Sequence, residues 1–170
     1  VFTGQINHFL GRDLVGVAFA YPVHQNILDY GIGIDVRRGN RSAEPLADFI
    51  EFLAAHTKAE SINIVCWSQG GRVTSLGLQT LRQRYAGLDS DALRDKFRLG
   101  LVIFAAADVP RDRFIERLDD IHDLSDRVTV MMSDDDGALR MGKTFMAGGD
   151  RAGMIDEDNI DAEREAQIVS

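Results

Sequence analysis

At 170 residues, 45% of them apolar, the chain has material for one sizeable buried core, so residues 1–170 are expected to form a single domain. Nineteen Lys and Arg against 27 Asp and Glu leave a formal charge of −8 with no basic cluster, which argues against nucleic acid or an anionic membrane as partner. One cysteine excludes an internal disulfide, no histidine is spaced to join it in a zinc site, and no apolar run is long enough to span a bilayer.

Phe2, Ile6, Phe9 and Leu10 fall at helical spacing, with Gly11 as a stop. Residues 14–21 then read as a strand ended by Pro22, with His24 just past its end. From 23 to 41 no period holds and Gly31, Gly33 and Gly39 are scattered, which predicts a long loop of the kind that rims binding sites. Ser42 is expected to cap a helix in which Pro45 occupies the tolerated first turn and Leu46, Phe49, Ile50 and Leu53 make the apolar stripe. That helix should end near His56 or Thr57.

The most informative stretch follows. Ile62, Ile64 and Val65 belong to a short uncharged run suited to a strand buried on both faces, and the run stops at Trp67-Ser68-Gln69-Gly70-Gly71. A helix is predicted from about Gln69 to Tyr85, with Val73, Leu76, Thr80 and Leu81 on its apolar face and Gly87 at its end. A turn this tight between strand and helix needs small neighbours, which Gly70 and Gly71 supply; Cys66 stands where the pattern G-x-S-x-G has its first glycine. Ser68 then projects as a nucleophile. The alternative is that it only caps the helix.

Beyond a charged, solvated stretch at 89–96, residues 99–106 form an apolar strand that leads to Asp108. A short helix around Phe114, Ile115 and Leu118 precedes a strand at 127–132, after which come Ser133, Asp134, Asp135 and Asp136 and a helix at 138–146. The acidic tail at 148–165 lacks the glycine of a calcium loop and reads as surface. Strands alternating with helices predict an α/β fold, a mostly parallel sheet with helices on both faces in three layers. Val1 is not a start methionine and residues 167–170 resemble the opening of a further strand. The sequence is therefore expected to be an excerpt of a longer protein, incomplete at both ends of the sheet, and localisation and oligomeric state stay open.

Ligands of such sheets gather at the carboxyl ends of the strands, where Ser68, Asp108 and Asp134 to Asp136 all fall. A serine nucleophile needs a base, and the base needs a carboxylate to hold it. Residues 62–71, 101–110 and 128–139 together resemble the α/β-hydrolase superfamily, most closely bacterial esterase/lipase-like domains of poorly defined function. That resemblance implies a Ser-His-Asp hydrolase with Ser68 as nucleophile and Asp136 as acid. The main-chain N–H of Gln69 would form half of the oxyanion hole, and a histidine outside the excerpt, after the acid, would be the base. Asp108 is the second-choice acid, with a turn or cap as its alternative role; Asp136 reads equally as a cap for the helix after it. Trp67, Tyr21 and His24 are candidate pocket residues, and His24 is too early in the chain for the superfamily's order. The expected partner is a small acyl substrate, with no cofactor and no metal. A hydrolase-like domain kept for binding or scaffolding, without turnover, is the alternative.

Overall fold

In the computed structural model, residues 14–22 and 34–131 are described. They contain three strands, β1 (Ile62–Trp67), β2 (Leu99–Ala105) and β3 (Ser125–Met131), and five helices. The helices are α1 (Ile34–Arg41), α2 (Ala43–His56), α3 (Gln69–Arg84), α4 (Ser90–Phe97) and α5 (Arg111–Leu124). The strands are parallel in the order β1-β2-β3, with Cys66 opposite Phe104 and Phe104 opposite Val130.

Strands added one after another in the same direction through right-handed crossovers place their connecting helices on one face. The packing agrees: α3 touches α1, α2 and α5, and α4 touches α2 and α5, in one continuous layer. Along β1 the side chains alternate accordingly. Ile62, Ile64 and Cys66 turn to the helices, while Val65 and Trp67 are exposed on the other side. The core beneath the helices joins Phe104 and Phe114, edge to face at 4.9 Å, with Leu78, Leu81, Leu93, Val102 and Ile121.

Three local expectations change. Residues 14–21 belong to no strand of this sheet: Val15 is 92% exposed, and only Phe19 and Tyr21 pack on the core, Phe19 lying 5.8 Å from the Phe49 ring. An apolar, β-branched composition supplies side chains for a pleated surface, but it does not by itself set the backbone pairing that makes a strand. Part of the expected loop is helical, α1. Ser42 is the joint between α1 and α2, in helical conformation and with no side-chain cap, its N–H donating to the Gly39 carbonyl at 2.9 Å. Third, the segment around Phe114 grows to fourteen residues, because Ile121 and Leu124 extend its buried stripe.

Helix α3 is buried over most of its circumference near its start, since α1, α2 and α5 all lie against it. Close approach of α2 depends on Gly77: a Cβ there would sit 3.0 Å from Leu46 Cδ2 and 3.1 Å from the Ala43 carbonyl oxygen. Arg98 holds the far edge of the sheet. It takes a left-handed conformation (φ 52°) after α4 and donates to the carbonyls of Ala54 and Ala59 at 2.8 Å, closing the end of α2.

Helices α3 and α5 are also clamped by charge. The Arg82 Nε–H donates to Asp123 Oδ2 at 2.7 Å and the Ser90 hydroxyl to Asp123 Oδ1 at 2.7 Å. The Arg82 hydrogen bond, followed by that of Ser90, holds the Asp123 carboxyl below its ordinary pKa. A depressed carboxyl pKa stabilises the fold fully above the unfolded value of about 3.9, and the contribution is lost as pH falls through the folded-state value. About a third of the Asp123 side chain is exposed, so solvent screening limits the effect. Asp123→Asn is expected to lower stability by about 1 kcal/mol at pH 7 in denaturant titrations, with the difference from wild type shrinking below about pH 4.

Candidate active site

Strand β1 ends at Trp67 and α3 begins at Gln69, so one residue, Ser68, carries the whole reversal. Its backbone stands at φ 49° and ψ −120°, a sparsely populated conformation for a residue with a Cβ. It occupies the N-cap position yet makes no side-chain cap hydrogen bond, which sets aside the simple capping role. The hydroxyl is left at the carboxyl edge of the sheet, beside the first turn of α3, whose N–H groups have no partner within the helix and carry the positive end of its dipole.

The strain is held by the neighbouring connection. The Ser68 N–H donates to the Ala105 carbonyl, and the Ser68 carbonyl accepts from the Asp108 N–H and the Gly71 N–H, each at 3.0 Å. Directly alongside, Ala106 also has a positive φ, 46°, and its N–H donates to the Met131 carbonyl at 3.0 Å. Two unusual backbone conformations thus lie side by side where β1 and β2 end. Ala107 is fully buried under the turn, and a Cβ on Gly71 would come within 2.8 Å of the Ala107 Cβ.

Cys66 departs from the glycine of G-x-S-x-G, and the structure accommodates it. Its Cβ faces Gly70, where an added Cβ would still lie at 3.7 Å, an ordinary contact. The thiol is buried against β2 and donates to the Ile103 carbonyl at 3.2 Å. Burial pushes its pKa up to about 12, so it remains a protonated core group and not a competing nucleophile.

Asp108 is 1% exposed, and its Oδ2 lies 3.8 Å from Arg72 Nη2 on the first turn of α3. Arg72 was not anticipated from the sequence. A signal existed: an arginine among residues that must face the core, next to Gly71 and Val73, is rarely buried without an acidic partner. Next to this pair, Arg117 of α5 donates to the buried Ser75 hydroxyl at 3.1 Å. Burial, and then the charges of Arg72 and Arg113, lower the Arg117 pKa.

Trp67 is 61% exposed, on the sheet face away from the helices. Tyr21 is half-buried, its ring 6.5 Å from Phe19. The Gln69 side chain turns toward α1, its Nε2 buried near Gly39. Asp136 and His24 lie outside the described residues. His56 closes α2 and His122 lies in the last turn of α5, both helices leading into the starts of strands, so these histidines occupy the edge of the sheet opposite Ser68. Among the described residues, no group of three His, Cys, Asp or Glu could hold a metal ion.

A family model described as "Alpha/beta hydrolase of unknown function (DUF900)" matches residues 1–169. The chain belongs to this family of α/β hydrolases. No curated protein and no solved structure matches it. As in other α/β hydrolases, the sheet is parallel and covered by helices. In this DUF900 chain the single residue Ser68 carries the reversal from β1 into α3.

Two predictions follow from the packing of the turn. Gly71→Ala should cost about 1–3 kcal/mol through its clash with Ala107, whereas Gly70→Ala, whose added Cβ would meet only Cys66 at an ordinary 3.7 Å, should be neutral or stabilising by up to about 1 kcal/mol, as read by thermal unfolding. Equal effects would contradict the geometry. Cys66 should resist thiol reagents in the native protein from about pH 6 to pH 9, where a free thiol of pKa near 8.5 would ionise, and should react once the protein is unfolded.

Proposed function

We propose that the protein is a serine hydrolase that cleaves a carboxylic ester or a related acyl compound, and that residues 1–170 belong to one hydrolase domain. The observation carrying this reading is the conformation of Ser68: a strained reversal between a parallel strand and a helix, with no cap bond engaging the hydroxyl. In the proposed reaction the Ser68 oxygen attacks the substrate carbonyl carbon while a histidine takes its proton. The tetrahedral intermediate collapses, the carbon–oxygen bond to the alcohol breaks, and the histidine returns the proton to the leaving oxygen. Water then releases the acid by the same route.

The Gln69 N–H is assigned to the oxyanion, since it opens α3 beside Ser68. Asp136 is assigned as the carboxylate that orients the histidine, and that histidine is proposed to follow residue 170. Exposed Trp67, with Tyr21 and His24, is assigned to the rim where the acyl or alcohol group enters. No cofactor or metal takes part in this scheme.

The alternative, a hydrolase-like domain retained for binding alone, draws on one observation: both histidines among the described residues lie away from Ser68. A fluorophosphonate probe applied to the full-length protein separates the two. Covalent labelling should occur, should vanish in Ser68→Ala, and should be accompanied there by at least about a 10³-fold loss of ester hydrolysis. Labelling that survives the substitution would overturn the assignment of Ser68, and an unlabelled wild-type protein would establish the binding reading.

A further inference from the structure

Asp108 lies in the connection between β2 and α5, beside Ser68, and is an acid at the carboxyl end of a strand, yet its surroundings suit another task. Its carboxylate faces the Arg72 guanidinium at 3.8 Å, with both side chains almost wholly buried, while its backbone N–H donates to the Ser68 carbonyl at 3.0 Å. One residue therefore grips the turn twice, by its amide at Ser68 and by its charge at the first turn of α3. Ala106 at φ 46° and fully buried Ala107 fix the path of the connection that delivers it. Arg117 of α5 is held through the Ser75 hydroxyl, and its like charge disfavours a swing of Arg72 toward α5.

We propose that Asp108 and Arg72 form a strap that positions the nucleophile, holding Ser68 in its reversed conformation, and that Asp108 is a positioning residue and not the acid of the triad. This rests on the reading of Ser68 as nucleophile. A carboxylate engaged by a buried guanidinium is already committed, and a catalytic carboxylate must instead face the imidazole. A small displacement of an attacking oxygen costs rate far more than it costs binding, so the strap acts on kcat.

Removing one member leaves an uncompensated buried charge and threatens the fold. The decisive variant is therefore the double replacement Arg72→Met/Asp108→Leu in the full-length protein, studied beside Asp108→Asn. Short-chain nitrophenyl esters report the kinetics. The strap predicts a fall in kcat of about 10- to 100-fold in the double variant, KM within about twofold, an unshifted pH profile, and a fluorophosphonate labelling rate lowered in step. Unchanged kcat would reduce the pair to a structural element and overturn the inference. A fall of about 10⁴-fold with an altered pH profile, shared by Asp108→Asn, would make Asp108 the triad acid and also overturn it.

Hydrogen exchange in the same variants reads the strap without any turnover. Faster exchange confined to residues 66–72 and 104–110 supports it even in a protein that never labels, where the hydrolase reading alone has failed. Exchange unchanged in those segments contradicts the strap whatever the kinetics show.

Discussion

The structure around Ser68 depends on how closely the connection after β2 approaches the turn after β1. A serine at φ 49° and ψ −120° is unfavourable by about 1–3 kcal/mol in isolation, and it persists only where its surroundings over-determine it. Here they do. Its N–H and carbonyl are both bound to the neighbouring connection, and the missing Cβ of Gly71 lets Ala107 press against the helix. Remove the close approach and Ser68 is free to relax into an ordinary helix cap. Parallel order of β1 and β2 is what brings the two connections to the same edge, so the local strain is a consequence of sheet topology.

Much of this was legible in the residues. The apolar run at 62–67 and the following glycines placed β1, the turn and α3 almost to the residue, because a buried parallel strand leaves an uninterrupted apolar signature. β2 and β3 were legible for the same reason. Gly71 announced a close contact, and its partner, Ala107, could not be named because a small buried residue carries no pattern of its own. Residues 14–21 misled: they have strand composition, but composition does not specify a pairing partner. Helix α1 went unseen because IDVRRGNR contains two apolar residues and a glycine, too few to display a helical stripe.

The polar part of the site was harder to read than the apolar part. Asp108 was recognised as an acid near the strand ends, but Arg72, one turn into a helix that had been assigned an apolar face, was not recognised as its counterpart. Burial of charge is a pairwise property, and a sequence shows its two members 36 residues apart, from 72 to 108, with nothing to join them. Cys66 gave the opposite lesson. It departs from the expected glycine, and the structure fills that position with a buried thiol that faces Gly70 without crowding it. The motif therefore reports the space available around a turn more than the identity of any one residue.

A crystal structure of the full-length protein after reaction with a fluorophosphonate tests the account most directly. The account predicts continuous density from the Ser68 oxygen to phosphorus, Ser68 still at a positive φ near 50°, and the phosphonyl oxygen within hydrogen-bond reach of the Gln69 N–H. An adduct on another side chain, or a Ser68 with negative φ and its hydroxyl folded back onto the α3 N–H groups, would contradict it.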